Sequence, residues 1–277
     1  MHTTYPIGVF DSGVGGLTVA SEIMRQLPKE RTIYFGDTAR VPYGNKSQKT
    51  IVRYSKQIVN FLLSKKVKAI VIACNTASAF ALEAIKSEVS IPVIGVVEPG
   101  AKVAASVTKN NNIGIIGTKG TISSGIYQKL LNKTHPEVNV YGQACPLFVP
   151  LVEEGWIDDP ITFDVSKRYL KDLQSYDIDT LILGCTHYPL IRETIDSVLE
   201  SKVELVNPAY ETAKTLKKVL RDKGIESKEL AGKHEFYVSD GVGQFNDFAK
   251  EILPSYLQDA KEINIVDYSD VIKGEKR

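Results

Sequence analysis

A chain of 277 residues with 43% apolar and 24% charged side chains has length enough for one large or two medium domains around a sizeable core. Its formal net charge of +1 offers no global field toward nucleic acid or an anionic membrane, and neither is an expected partner. No window reaches the roughly 18 consecutive apolar residues of a membrane span, the start MHTTYPIGVFDSG lacks the basic region of a secretion signal, and three scattered cysteines do not make a disulfide framework. The expected setting is a reducing cytoplasm.

In chain order, IGVF (7–10), TIYF (32–35), AIVIA (69–73) and PVIGVV (92–97) read as strands buried on both faces. IGIIG (113–117), VNVYG (138–142), TLILG (180–184) and VELV (203–206) repeat the pattern. Amphipathic stretches lie between them; in 47–66, Ile51, Tyr54, Ile58, Phe61 and Leu62 share one face of a helix. Such alternation predicts an α/β fold with mainly parallel sheets covered on both sides. Beyond residue 209 the sequence suggests one helix, a strand-like EFYVSD (235–240) and a final EINIV (262–266). The basic run Lys273 to Arg277 reads as a solvated tail.

The chain also resembles itself. IGVFD at 7 aligns with IGIIG at 113, AIVIACNT at 69 with TLILGCTH at 180, and VVEPG at 96 with LVNPA at 205. The offsets are 106, 111 and 109 residues, as expected of one duplicated α/β unit. A cysteine stands after the third strand in both copies.

Parallel sheets gather ligands beyond the carboxyl ends of their strands. There the first half carries Asp11-Ser12 and GVGG, then GDTARVPYG with Asp37, Tyr43 and Gly44, then Cys74-Asn75-Thr76. The second half carries Thr118, Glu153 in the loop after its second strand, and Cys185-Thr186-His187. DSGVGG has the spacing GxGG rather than GxGxxG, which argues against a dinucleotide loop, and no P-loop is present. No CxxC or HxxxH spacing points to a metal. Cys145, alone in an apolar run, reads as a small core residue.

Cys74 and Cys185 read differently, because a helix is expected just beyond each, capped by Asn75 or Thr76 in one copy and by Thr186 in the other. A helix N-terminus lowers a thiol's pKa and offers free N–H groups to a carboxylate. His187, two places from Cys185, is a candidate proton partner, and Asp11 could orient an amino group or poise a thiol. Two thiols contributed by twin halves suit inversion at a carbon, where one face loses a proton and the other gains one.

The motifs FDSGVGGLTV, YFGDTARVPYG, ACNTASA, VVEPG and GCTHYPL together resemble the bacterial glutamate racemases of the cofactor-independent aspartate/glutamate racemase superfamily. The resemblance extends to about residue 215. It implies two pseudo-symmetric flavodoxin-like domains, 1–98 with 210–277 and 99–209, with the active site in the cleft between them. It implies Cys74 and Cys185 as the two acid/bases on opposite faces of the glutamate Cα, Asp11 assisting the first, and His187 with Glu153 behind it assisting the second. Asp11, Ser12, Tyr43, Gly44, Asn75, Thr76, Thr118, Thr186 and His187 would hold the substrate. No cofactor is implied, a homodimer is expected, and D-glutamate would serve peptidoglycan synthesis. Two rivals remain at this point: an aspartate or broad-specificity racemase, and a non-catalytic amino-acid-binding module. A regulatory side role, such as inhibition of a topoisomerase, draws no support from the near-neutral charge.

Overall fold

The computed structural model describes residues 3–255 and 259–269, so the basic run at 273–277 lies outside the described residues. Among them the chain forms two sheets in which every strand pairing is parallel. Strands β1 (Ile7–Asp11), β2 (Thr32–Gly36), β3 (Ala69–Ile72) and β4 (Val93–Gly95) come from the first hundred residues. Strands β5 (Asn112–Gly117), β6 (Asn139–Ala144), β7 (Thr180–Gly184) and β8 (Glu204–Val206) follow, and β9 (Glu235–Val238) and β10 (Lys261–Glu262) complete the set.

The sheet orders display the internal repeat. One sheet runs β10-β9-β2-β1-β3-β4 and the other β6-β5-β7-β8. Strip β9 and β10 from the first and the two orders coincide strand for strand. This is the flavodoxin-like 2-1-3-4 arrangement, whose switch point lies beside the first strand. Helices cover both faces, which is why β1, β2, β3 and β7 are apolar without alternation and buried throughout. The Gln48–Ser64 helix forms where its apolar stripe predicts, opened by Ser47, whose Oγ accepts from the Thr50 N–H.

Four readings of the sequence are corrected. The stretch 92–97 is strand only over Val93–Gly95, and Val97 opens a helix that ends at Val107. Strand β6 is not buried on both faces; it is an edge strand, and its residues are half-buried or exposed. EINIV contributes only its first residue to β10, and Ile265–Tyr268 turns into a 3-10 helix against the Gln48–Ser64 helix. The region after 209 holds a second helix, Val242–Ile252, beyond the expected Pro208–Asp222.

A buried ion pair ties down the return of the chain. Lys68 Nζ lies 2.6 Å from Glu30 Oε2 and donates to the carbonyls of Thr3 (2.5 Å) and Ile225 (2.8 Å). The other Glu30 oxygen accepts from the Ser227 N–H at 2.8 Å. Removing one member of such a pair leaves an uncompensated buried charge, at a cost of about 3–5 kcal/mol.

Candidate active site

The carboxyl ends of the two sheets meet at one narrow cavity. Its walls include Ser12, Tyr43, Gly44, Cys74, Asn75 and Thr76 from the first half and Thr118, Cys185, Thr186 and His187 from the second, with room for about 20 Å³ of solvent. That is about one water molecule. Cys74 and Cys185 are 6% and 7% exposed, whereas Cys145, fully buried in the second-half core, does not line the cavity.

On the first wall, β3 ends two residues before Cys74, and the Asn75–Lys86 helix follows at once. Neither Asn75 nor Thr76 caps that helix. Cys74 does so itself: its Sγ accepts from the Ala77 N–H at 3.4 Å and lies 3.8 Å from Ser12 Oγ. The expected lowering of its pKa is reversed. Burial dominates and Asp11 adds repulsion, so the thiol is pushed up to about 12 despite its hydrogen bonds with the Ala77 N–H and the Ser12 hydroxyl.

Asp11, at the end of β1, is fully buried. Its Oδ2 accepts from the N–H groups of Gly13 (3.2 Å) and Gly16 (2.9 Å), while Oδ1 has no hydrogen-bond partner among the described residues. Burial raises its pKa, against the opposing pull of His187 and of those N–H groups. The glycine loop that closes over it has a steric reason as well: a Cβ on Gly15 would sit 2.5 Å from His187 Nδ1 and 2.6 Å from Thr186 Oγ1.

On the second wall, no long helix follows Cys185. The backbone makes a 3-10 turn over Tyr188–Ile191 before the short Arg192–Val198 helix, and Thr186 caps neither. An imidazole stands there instead. His187 Nδ1 is 3.8 Å from Cys185 Sγ, and Nε2 is 2.9 Å from Glu153 Oε1. Burial opposes a charge on this ring, yet its hydrogen bonds to Cys185 and Glu153 prevail and raise it to about 10. These contacts favour the protonated form of the ring. Glu153 is not in a loop; it is the last residue of the Phe148–Glu153 helix, one-third exposed at the rim.

Hydroxyl and amide groups join the walls. Thr76 Oγ1 lies 2.8 Å from Thr118 Oγ1 and 3.1 Å from Thr121 Oγ1, and the Thr118 and Thr121 hydroxyls are also 3.1 Å apart. Tyr127 Oη donates to Asn75 Oδ1 at 2.7 Å, which leaves the Asn75 amide as a donor. Thr18 Oγ1 bonds the carbonyls of Gly15 (2.8 Å) and Thr186 (3.1 Å). Gly44 packs flush on Thr118, where a Cβ would approach that side chain to 2.5 Å. Tyr43, at the cavity wall, hydrogen-bonds fully buried Asp37, which also accepts from Arg40 Nε (2.7 Å) and Ser239 Oγ (2.9 Å).

Every residue given a catalytic or substrate-holding role from the sequence is thus at this cavity or, for Asp11 and Glu153, one contact behind it; Asp37 stands behind Tyr43, and Cys145 lies off the cavity. The sequence reading missed Thr121, Tyr127, Thr18 and the anchoring role of Asp37. Only Thr121 left a local signal, standing three residues after the helix cap Thr118, whose Oγ1 accepts from its N–H at 3.2 Å.

Residues 7–216 match the family Asp/Glu/Hydantoin racemase. A glutamate racemase of Geobacter metallireducens is 48% identical over 260 residues, 94% of this chain and 96% of its own. The crystal structure of the glutamate racemase isoform RacE1 of Bacillus anthracis superposes with a TM-score of 0.92 at 44% identity, over 95% of this chain and 98% of that one. That of a Francisella tularensis glutamate racemase in complex with D-glutamate gives 0.91 at 38% identity, over 96% and 100%. A match across most of the length, joined to a shared fold, leaves one conclusion: the chain belongs to the Asp/Glu/hydantoin racemase family.

Proposed function

We propose that this protein is a glutamate racemase that interconverts the L and D enantiomers by proton transfer at Cα between two cysteines. The observation that carries the reading is the pair of sulfurs at equivalent strand ends of twin sheets, facing one cavity. One sulfur, as thiolate, takes the Cα proton, and the other, as thiol, returns a proton to the opposite face. The site ends with the two protonation states exchanged, ready for the reverse direction.

The rest of the site supports the same chemistry. The partnerless, buried Oδ1 of Asp11 suits an ammonium group. The open N-terminal turn of the Asn75–Lys86 helix, with the Asn75 amide and the Thr76 and Thr118 hydroxyls, suits the α-carboxylate, where charge builds as the proton leaves. Protonated His187 beside Cys185 supplies a proton donor at that wall, and Glu153 holds the ring. Space for one water does not admit glutamate, so the walls must separate for entry and close again around the substrate, excluding solvent from the carbanion.

The divisions 1–98 with 210–277 and 99–209 are then the two moving bodies. D-glutamate would supply peptidoglycan synthesis in a bacterial cytoplasm. For the expected homodimer, exposed Leu147, Trp156, Ile161 and Phe163 within 147–163 offer apolar surface. The decisive experiment incubates pure protein with either enantiomer in D₂O without added cofactor. Deuterium should enter Cα first in the inverted product; binding of glutamate without exchange would sink the reading.

A further inference from the structure

The site holds one buried side chain that the proton transfer does not use. Tyr127, on the Ile126–Thr134 helix of the second half, has its ring in the apolar cluster of Val97, Ala101, Leu131 and Val206. Its hydroxyl crosses to the first half and donates to Asn75 Oδ1 at 2.7 Å. Burial, with the Cys185 sulfur nearby, pushes the phenol's pKa up, so it keeps its proton and remains a donor. The chain passes between the two sheets twice, after β4 and after β8. Tyr127 stands beside both crossings: a Cβ on Gly100 would come within 2.9 Å of Pro208 Cγ and 3.6 Å of the Tyr127 hydroxyl. Walls that part at the catalytic cavity pivot on these crossings, so the contact lies where the two bodies move least.

We propose that Tyr127 is a positioning residue for racemisation: it orients the Asn75 amide so that Nδ2 faces the α-carboxylate of the substrate before the substrate arrives. An amide has two ends of similar shape and opposite polarity. With Nδ2 toward the cavity it donates to a carboxylate; turned over, it sets a carbonyl oxygen against that carboxylate. The phenol decides between the two, because Oδ1 meets no other donor among the described residues and is satisfied in its buried place only while the O–H reaches it. Without the hydroxyl, the free protein relaxes by turning Oδ1 to the water of the cavity. Substrate must then turn the amide back and leave Oδ1 buried without a partner. The preset amide avoids that cost at the carboxylate where charge builds as Cα loses its proton. The role in catalysis rests on the racemase reading; the orientation of the amide does not.

The test is a double-mutant cycle, read in glutamate racemisation and separately in glutamate binding by calorimetry, well below the Tm of every variant. Tyr127→Phe keeps the ring in its cluster, so it should stay folded, and it should lower kcat/KM about tenfold in both directions of reaction. In the background of Asn75→Ala, which is itself impaired, adding Tyr127→Phe should change kcat/KM by less than about twofold. The binding cycle should show the same pattern in Kd. A hydroxyl that mattered only to packing would cost the same factor in both backgrounds, and that result would overturn the assignment. So would an undiminished kcat/KM in Tyr127→Phe. The coupled pattern in binding without any turnover would overturn the racemase reading and leave the orienting role standing; turnover with an additive cycle would do the reverse.

Discussion

The two thiol walls occupy equivalent places in twin sheets and are chemically unlike. Cys74 caps a twelve-residue helix, touches a serine hydroxyl and stands near a buried carboxylate, and its thiol is held at about 12. Cys185 leads into a 3-10 turn and stands against an imidazole whose other nitrogen meets a carboxylate at the rim. Strand order fixes where the sulfurs are; it does not fix what surrounds them. On the proposed two-thiol mechanism the reaction runs both ways through the same two groups, so the difference teaches that each direction can be limited by a different wall.

The bluntest way to break the comparison is to remove a sulfur. Cys74→Ala and Cys185→Ala should each cut racemisation by about 10³-fold or more, because a face without a proton carrier cannot complete inversion. Residual turnover near the native rate in either would end the two-thiol account. The serine variants sharpen it: Cys74→Ser and Cys185→Ser should raise the Cα deuterium isotope effect in opposite directions of reaction. Equal effects both ways would erase the division between faces.

Asp11→Asn should cost about 10- to 100-fold in kcat, since the substrate ammonium loses its counter-charge. The same change relieves repulsion on Cys74, second to burial among the causes of its raised pKa. The ascending acid limb of the pH–rate profile, where the base loses its proton, should therefore move to lower pH in the direction where Cys74 is the base. A profile that does not move would detach Asp11 from that wall.

For His187→Gln the readout is stability against pH. The ring's pKa is raised from 6.5 to about 10 on folding, so its contribution is full below about pH 6.5 and is lost as pH rises through about 10. The gap in Tm between native protein and variant should be widest near pH 6 and shrink toward pH 10.5. A gap that is constant with pH would mean that the imidazolium is not what holds the wall. Smallest of all, Cys145→Ser should leave kcat within about twofold, as suits a sulfur in packed hydrocarbon off the cavity. A large loss of turnover in a folded protein would add a third sulfur to the chemistry.

Much of this was legible in the sequence, for definite reasons. Buried parallel strands advertise themselves as unbroken apolar runs, and sites follow their carboxyl ends, so Cys74 and Cys185 could be placed before any coordinates. What stayed hidden depends on geometry between segments distant in sequence. Thr76 meets Thr118 and Thr121, and Asn75 meets Tyr127, only once the two sheets face each other. The sign of the Cys74 shift was misread because a helix N-terminus is visible in a sequence while the burial that overrides it is not. EINIV failed as a strand because Ile265 is drawn under the Gln48–Ser64 helix, into the cluster with Phe61 and Tyr237.

The lateral placement of β9 has a consequence for synthesis. Strands β5 to β8 close on a contiguous stretch, 112–206, and can assemble as they leave the ribosome. Strand β2 cannot: its outer neighbour, residues 235–238, is translated some 140 residues after β4, a delay on the order of ten seconds. Until then the apolar edge Thr32–Gly36 is open to any strand that comes by, and Phe61 lacks the Tyr237 ring that packs on it at 5.0 Å. Nascent chains halted before residue 235 should bind holdase chaperones through the first hundred residues while 112–206 resists protease.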